Sequence, residues 1–169
     1  DRAGGMSREA GIAVGTLVLL ALCATLQAAG LETALRYDRG AIGDGQLWRL
    51  LSASLVHLGP MHLALNAAGL ALVALLVGRW LSLRAWTAVL LLCALAVGLG
   101  LWWLAPAVGW YVGLSGVLHG LLAAGAATAA WRGPERGFHA LLLGALAGKL
   151  AWEQLVGAVP GTARMAGGT

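Results

Sequence analysis

The sequence has 169 residues, of which 60% are hydrophobic and only 11% are charged. Soluble domains are typically about 45–50% apolar and about 25% charged, so this composition excludes an ordinary soluble domain and favours a chain solvated by lipid. The net charge is +4, but the arginines are scattered singly at the ends of apolar runs. A nucleic-acid interface needs a basic patch, and this distribution excludes one.

Five apolar runs are long enough to cross a bilayer, because a hydrocarbon core of about 30 Å takes roughly 20 helical residues. Their predicted bounds are 11–30, 59–78, 85–105, 114–131 and 138–157. The runs do not alternate apolar and polar residues, so helices are predicted rather than the strands of a membrane barrel. The predicted fold class is therefore all-α, a polytopic membrane helical bundle that forms a single domain over residues 1–169.

Basic residues mark alternate connections between the predicted spans. They are Arg2 and Arg8 before the first span, Arg79 and Arg84 after the second, and Arg132 and Arg136 after the fourth. Because short loops rich in Lys and Arg stay in the cytoplasm, the N-terminus is predicted to be cytoplasmic. The long connection at residues 31–58 and the one around Pro106 then lie on the outer side.

Strongly polar side chains are few inside the predicted spans, and they come in pairs spaced by four residues. The pairs are His62 with Asn66, Ser115 with His119, and Lys149 with Glu153. This spacing puts both members of a pair on one helix face, and the predicted topology places all three pairs toward the outer side. Polar groups at membrane depth usually face the bundle interior and mark function, so we expect one buried site open to water from outside.

Ser115 is the candidate nucleophile of this site. It is predicted at a helix N-terminus, where free N–H groups and the helix dipole can stabilise an oxyanion, and Gly113 and Gly116 would let a substrate backbone approach closely.

Each of the three polar motifs also has an interpretation without catalysis. Gly-x-Ser-Gly is common in helix packing, a His-x-x-x-Asn pair can be an interhelical hydrogen-bond clamp, and Lys149 and Glu153 can simply neutralise each other. Only the coincidence of the patterns favours catalysis.

In order and in content, these motifs resemble the rhomboid family of intramembrane serine proteases. The matching residues are Trp48-Arg49, His57, His62-x-x-x-Asn66 and Gly113-Leu114-Ser115-Gly116. Within the family the chain most resembles the bacterial rhombosortases, through the segment from Tyr111 to Gly120 and through Lys149-x-x-Trp152-Glu153-Gln154. That branch is thought to process exported proteins whose C-terminal sorting signal combines a Gly-Gly-type motif, a transmembrane helix and a basic tail. The implied setting is the lipid bilayer of the bacterial inner membrane.

The resemblance implies a role for each matched residue. Ser115 would be the nucleophile, and the side chains of His62 and Asn66 with the Ser115 backbone N–H would form the oxyanion hole. Supporting residues would be Trp48, Arg49 and His57 in an outer loop that packs sideways into the membrane, and Lys149 and Glu153 near the serine. No metal and no cofactor is implied.

The general base is the one role that the resemblance leaves without a residue. Rhomboids take it from a histidine in a sixth helix, and the sequence has no sixth apolar span. We expect the chain to be truncated at its C-terminus before that helix. The alternative base is His119, one turn after Ser115 on the same face. Helical side chains lean toward the N-terminus and a base needs an orienting partner, which favours a supporting role for His119.

Two other functions fit the same residues. A non-catalytic rhomboid-like protein would bind transmembrane helices without cutting them, and the missing base argues for it. A small transporter or channel subunit would use the polar side chains as a pathway. Such a pathway would spread polar groups across the bilayer, whereas the predicted pairs crowd at one depth.

Overall fold

The computed structural model describes the backbone of residues 2–156 and the side chains of residues 8–153 and 155. The Arg2 side chain and residue 157, the predicted end of the fifth span, lie outside this description. The helices are α1 (Arg2–Ala28), α2 (Glu32–Leu35), α3 (Arg39–Gly43), α4 (Arg49–Ser52), α5 (Pro60–Val77), α6 (Leu83–Leu104), α7 (Ser115–Arg132) and α8 (Arg136–Val156). Between them lie 3-10 turns at Ala53–Leu55 and Gly78–Trp80 and the strands β1 (Tyr37–Asp38) and β2 (Trp110–Tyr111).

The five long helices α1, α5, α6, α7 and α8 confirm the predicted all-α membrane bundle. Three segments are long and apolar enough to cross a membrane by length and composition, namely Arg8–Ala28, Pro60–Trp80 and Leu83–Leu104. Of the other two long helices, α7 is rich in glycine and alanine, and α8 carries Arg136, Lys149 and Glu153. Helix α7 packs against α5, α6 and α8, so much of its surface faces protein rather than lipid. The chain is a multi-pass membrane protein.

Apolar packing between α1, α5, α6 and α7 forms the main core. Its buried residues are Ile12, Leu70, Val73, Val77, Leu81, Trp86, Leu121 and Ala126. A second cluster lies closer to the start of α7 and contains Cys23, Ala94, Leu114 and Val117. Because lipid tails are as apolar as these side chains, close packing rather than exclusion from water holds such helices together. The second cluster fixes the turn that precedes Ser115.

The connection between α1 and α5, which we term the outer loop (residues 29–59), is attached to the segment before α7. Strands β1 and β2 pair antiparallel, with Tyr37 opposite Tyr111 and Asp38 opposite Trp110. The Asp38 carboxylate accepts a hydrogen bond from the Ala41 backbone N–H at 3.1 Å. That hydrogen bond, together with the nearby arginines, lowers the pKa of Asp38. The two-residue ladder was not predicted, and it ties the outer loop to the chain that leads into α7.

Arg39 anchors the same loop to the end of α6. Its guanidinium donates to the backbone carbonyl oxygens of Leu101 at 2.6 Å, Trp102 at 3.1 Å, Ala105 at 3.1 Å and Val108 at 3.2 Å. The last carbonyls of a helix have no partner within it, and a cation there is favourable to the helix dipole. Arg39 therefore satisfies two of the last four carbonyl groups of α6 and two more just beyond its end.

Helix α4 in the outer loop lies directly on α6 at Gly98. A Cβ added to Gly98 would collide with the backbone carbonyl group of Leu50. Only glycine lets the two backbones approach so closely. The position of the outer loop against the bundle therefore depends on the missing side chain at Gly98.

Candidate active site

Ser115 is the first residue of α7, and its side chain is exposed. The turn before it depends on Gly113, whose φ of 112° is a conformation that residues with a side chain rarely adopt. The Gly113 N–H donates to the Ala53 carbonyl oxygen at 3.0 Å, which joins this turn to the outer loop. Leu114 is buried beneath the turn. The serine is thus held at a helix N-terminus by contacts on both sides of the turn.

Among the described residues, Tyr111 is the hydrogen-bond neighbour of the Ser115 hydroxyl. The Tyr111 hydroxyl donates to the Gly113 carbonyl oxygen at 3.2 Å and lies 3.4 Å from Ser115 Oγ. Since the phenol hydrogen is directed to Gly113, the serine hydroxyl is the donor of the second contact. Within the described part of the chain, no imidazole or carboxylate hydrogen-bonds to Ser115 Oγ.

His62 and Asn66, which both belong to α5, lie next to the turn at Gly113. The Leu58 backbone N–H donates to His62 Nδ1 at 3.3 Å, so the proton of the neutral ring is on Nε2. A Cβ added to Gly113 would lie 2.9 Å from His62 Nε2 and 3.8 Å from Asn66 Nδ2. The Asn66 amide also donates to the His62 carbonyl oxygen at 3.0 Å. Two side-chain N–H donors therefore converge on the turn two residues before the serine.

His57 packs against the ring of His62. Its side chain is fully buried, and its ring packs edge-on against the His62 ring, with centroids 5.2 Å apart. Neither ring nitrogen of His57 has a hydrogen-bond partner among the described residues. Burial, with the neighbouring His62 as a smaller cause, lowers the pKa of His57 to about 4. His57 is therefore neutral at physiological pH and acts as a packing residue in this geometry.

His119, Lys149 and Glu153 form a hydrogen-bonded chain that starts at the Ser115 backbone. His119 Nδ1 lies 2.6 Å from the Ser115 carbonyl oxygen, and because a carbonyl can only accept, Nδ1–H is the donor. The unprotonated Nε2 then accepts from Lys149 Nζ at 2.9 Å. Lys149 also donates to the Glu153 carboxylate at 2.8 Å. The chain joins α7 to α8, and both nitrogens of His119 are engaged away from the serine hydroxyl.

Trp48 and Arg49 have different surroundings although they are adjacent. Arg49 is buried, and its guanidinium donates to the backbone carbonyl oxygens of Thr33 at 3.0 Å and Arg36 at 2.9 Å and to the Gln46 side chain at 2.8 Å. It therefore holds the outer loop together from inside. The Trp48 side chain is 55% exposed and lines an apolar cavity between α1 and α6. The same cavity is also lined by Leu114 of the turn before Ser115.

Gly113 and Gly116 were expected to leave room for a substrate backbone, but the structure shows another reason for the absence of their side chains. The space next to Gly113 is filled by the His62 ring, and a Cβ on Gly116 would lie 2.8 Å from Val97 of α6. Both glycines thus allow the chain's own side chains to approach the turn. Tyr111 and Arg39 were not singled out as site residues from the sequence, because only the fold brings them to the turn and to the end of α6.

Metal binding has no support in the described residues. No group of three His, Cys, Asp or Glu side chains between residues 8 and 153 is arranged to hold a metal ion. Cys23 and Cys93 are free thiols.

Comparison with known families gives one match. The family model described as the Rhomboid domain matches residues 44–167, which is more than half of the chain and includes every candidate site residue. No curated protein is significantly similar to the chain.

Proposed function

Because the chain belongs to the rhomboid family, whose members are generally intramembrane serine proteases, we propose that it cleaves transmembrane proteins with Ser115 as the nucleophile. The observation that carries this proposal is the convergence of the His62 and Asn66 donors on the turn at Gly113. A helix-packing role for the motifs would not require the His62 N–H and the Asn66 amide to lie beside a serine at a helix N-terminus. An oxyanion hole requires such donors.

In the proposed reaction Ser115 Oγ attacks the carbonyl carbon of the scissile peptide bond. The developing oxyanion accepts hydrogen bonds from His62 Nε2–H, the Asn66 amide and the Ser115 backbone N–H, aided by the positive end of the α7 dipole. The C–N bond then breaks, the amine leaves with the proton taken from Ser115, and an ester remains on the serine. Water hydrolyses this ester and restores the hydroxyl. Transfer of the acyl group to another nucleophile is equally compatible with these residues.

The proton acceptor that the family resemblance implies is a histidine of a further helix, and His119 is the alternative. The hydrogen bonds of His119 support a positioning role. Its Nδ1–H holds the first carbonyl of α7, and its Nε2 accepts from Lys149 on α8. Through this chain, α8 would be fixed next to the helix that carries the nucleophile.

The proposed orientation has the serine end of the bundle on the outer side of the bacterial inner membrane. At the end opposite Ser115, the described side chains include five arginines and two glutamates, a net charge of +3: Arg8, Arg79, Arg84, Arg132 and Arg136, with Glu9 and Glu135. Near the serine end, four basic and four acidic side chains balance: Arg36, Arg39, Arg49 and Lys149, with Glu32, Asp38, Asp44 and Glu153. The positive-inside rule favours the first end as the cytoplasmic one.

The proposed substrates are exported proteins with a C-terminal sorting signal, in which glycines precede a transmembrane helix. Glycine lowers the cost of unwinding a helix near the bond to be cut. An exposed Ser115 at the start of α7 can receive a chain only if that chain is locally extended. The rhombosortase-like residues around Ser115 and at Lys149 support this substrate class.

Two substrates and one matched pair of variants test the proposal. The full-length protein is reconstituted with a membrane substrate carrying the Gly-Gly sorting segment, and with a second membrane substrate that lacks it. Ser115→Ala should abolish cleavage, and Thr33→Ala, which removes an exposed hydroxyl in the outer loop, should leave it unchanged. Cleavage that survives Ser115→Ala would refute the nucleophile. Equal cleavage of both substrates would refute the sorting-signal specificity alone.

A second candidate function is a non-catalytic protein that binds transmembrane helices. It is favoured by one observation, that among the described residues the hydrogen-bond neighbour of Ser115 Oγ is Tyr111 and not a base. This candidate predicts that the wild-type protein retains the substrate uncut and that Ser115→Ala binds it equally well. The protease predicts product from the wild type and trapped, uncut substrate only with Ser115→Ala.

A further inference from the structure

A polar cavity of about 550 Å³ lies at the end of the bundle opposite Ser115. It lies among the first part of α1, the connection into α6 and the last turns of α7. Its lining residues are Arg8, Trp80, Leu81, Ser82, Ala85, Ala127, Thr128, Trp131 and Arg132. Since α7 has 18 residues, this cavity is about 25 Å from Ser115 along the helix axis, and it takes no part in the proposed proteolysis.

The two arginines of the cavity carry positive charge without acidic partners. In the described part of the chain, no carboxylate lies within salt-bridge distance of Arg8 or Arg132, whereas their neighbour Arg79 pairs with Glu135 at 3.2 Å. Both arginines are exposed and line one cavity from different helices, so their charges act together on an anion that enters it. Planar guanidinium groups match the oxygens of a phosphate especially well.

Further donors line the same cavity. Ser82 is the N-cap of α6 and accepts a hydrogen bond from the Ala85 N–H at 3.2 Å, so the positive end of a 22-residue helix also faces this region. The Trp80 indole N–H is buried without an acceptor among the described residues. Each of these features stabilises negative charge. The Ser82 oxygen is engaged in this cap, whereas the Trp80 N–H is used by no hydrogen bond among the described residues.

The surroundings indicate that the anion belongs to a lipid. Trp131 at the cavity is 82% exposed, and tryptophans are enriched where hydrocarbon meets the headgroups. The helices α1 and α6 also line a strongly apolar cavity of about 660 Å³ farther along the bundle, beside Val14, Val18 and Leu90. A polar cavity at the membrane interface with an apolar one along the same two helices suits a molecule with a charged head and an acyl chain.

We infer that this cavity binds the phosphate of an anionic phospholipid headgroup, held between Arg8 and Arg132. Basic pockets between transmembrane helices on the cytoplasmic side bind such headgroups, and the net positive charge of this end would attract anionic lipid. The bound lipid joins α1 to α7, two helices whose ends the cavity separates. The inference is independent of the proposed proteolysis.

Native mass spectrometry of the full-length protein tests the site. The protein is incubated in detergent with equimolar phosphatidylglycerol and phosphatidylcholine, and the lipid that stays bound is counted. The wild type should retain phosphatidylglycerol in preference, and Arg8→Gln with Arg132→Gln should weaken that retention about tenfold or more. The matched control, Arg84→Gln with Arg136→Gln, removes the same charge from the same end without touching the cavity and should retain the lipid.

Three outcomes would overturn the inference. Equal loss of lipid in the control pair would mean that the whole basic end attracts lipid and the cavity does not. Equal retention of phosphatidylcholine would mean that no anionic group is recognised. Displacement of the lipid by millimolar inorganic phosphate would mean that the site binds free phosphate. If the double arginine variant fails to fold, Ala127→Leu, which fills the cavity and leaves both arginines in place, should also abolish retention, and retained lipid in that variant would equally contradict the site.

Discussion

The imidazole of His62 occupies the space in which Gly113 would carry a side chain. A Cβ at Gly113 would lie 2.8 Å from His62 Cε1, closer than carbon atoms approach without displacement. The glycine and the histidine therefore depend on each other. The positive φ of Gly113 turns the chain into α7, and the missing side chain lets the Nε2–H donor of α5 reach that turn.

Gly113→Ala is expected to impair cleavage more than folding. The methyl group would strain the backbone at a φ of 112° and push His62 away from the turn, which removes one oxyanion donor. Losing such a donor lowers the rate by about 10²–10³-fold. The measurement is kcat/KM on a membrane substrate. Gly109→Ala is the matched control, because its added Cβ meets nothing within 4 Å, and equal activity of the two variants would contradict the role of the His62 contact.

His119→Phe is expected to keep cleavage within about tenfold of the wild type, because a general base contributes about 10²–10⁴-fold and His119 contacts the Ser115 carbonyl instead of its hydroxyl. An aromatic ring of similar size preserves the packing between α7 and α8. Cleavage rates of the purified variants decide the point. A fall to the level of Ser115→Ala would make His119 the base after all.

The contact between His119 and Lys149 should appear as a coupling energy. The variants His119→Phe and Lys149→Met each break the hydrogen bond of 2.9 Å between Nζ and Nε2, so the double variant should lose less stability than the two single losses added together. We expect a coupling of about 0.5–1 kcal/mol in the free energy of unfolding in mixed micelles.

The control cycle pairs Lys149→Met with His139→Phe. His139 lies at the other end of α8 and contacts the Glu135 carbonyl oxygen at 2.9 Å, so its effect should add to that of Lys149→Met. Additive losses in both cycles would show that the hydrogen bond between His119 and Lys149 contributes nothing to the free energy of unfolding.

Gly98→Ala should destabilise the protein, because the added methyl group collides with the Leu50 carbonyl and must displace the outer loop from α6. Overpacking of this kind typically costs about 1–3 kcal/mol. Gly100→Ala, two residues farther along α6, meets nothing within 4 Å and is expected to be neutral or slightly stabilising. Comparing unfolding midpoints of the two variants measures the difference, and a Gly98 variant as stable as the Gly100 variant would exclude the close approach.

The sequence predicted the helices and the polar pairs because both follow from local spacing. A span needs an apolar run of sufficient length, and residues four apart share a helix face whatever the rest of the fold does. The contacts of Arg39 with the end of α6 could not be predicted in this way. They join residues more than sixty positions apart, and a lone arginine in a loop carries no sign of the carbonyl groups that it will meet.

The glycines show the same limit in another form. Nothing in the sequence marks Gly98 as a contact point, and close approach was predicted at Gly113 for a substrate; what approaches these two glycines is set by the packing of α4 and α5. Likewise, the spacing of Ser115 and His119 predicted one helix face but not the atoms that meet. The ring bonds to the carbonyl because helical side chains lean toward the preceding turn.

His57 should make stability depend on pH in a defined window. Its pKa is lowered from 6.5 to about 4 in the folded protein. As the pH falls below 6.5, the unfolded chain binds a proton that the folded protein does not, so stability is lost until the folded pKa is reached. The loss over this window is on the order of 3 kcal/mol. His57→Phe keeps a buried ring against His62 but cannot titrate, so its unfolding midpoint should fall less than that of the wild type between pH 7 and pH 4, and parallel curves for the two proteins would show that His57 is not buried as a neutral ring.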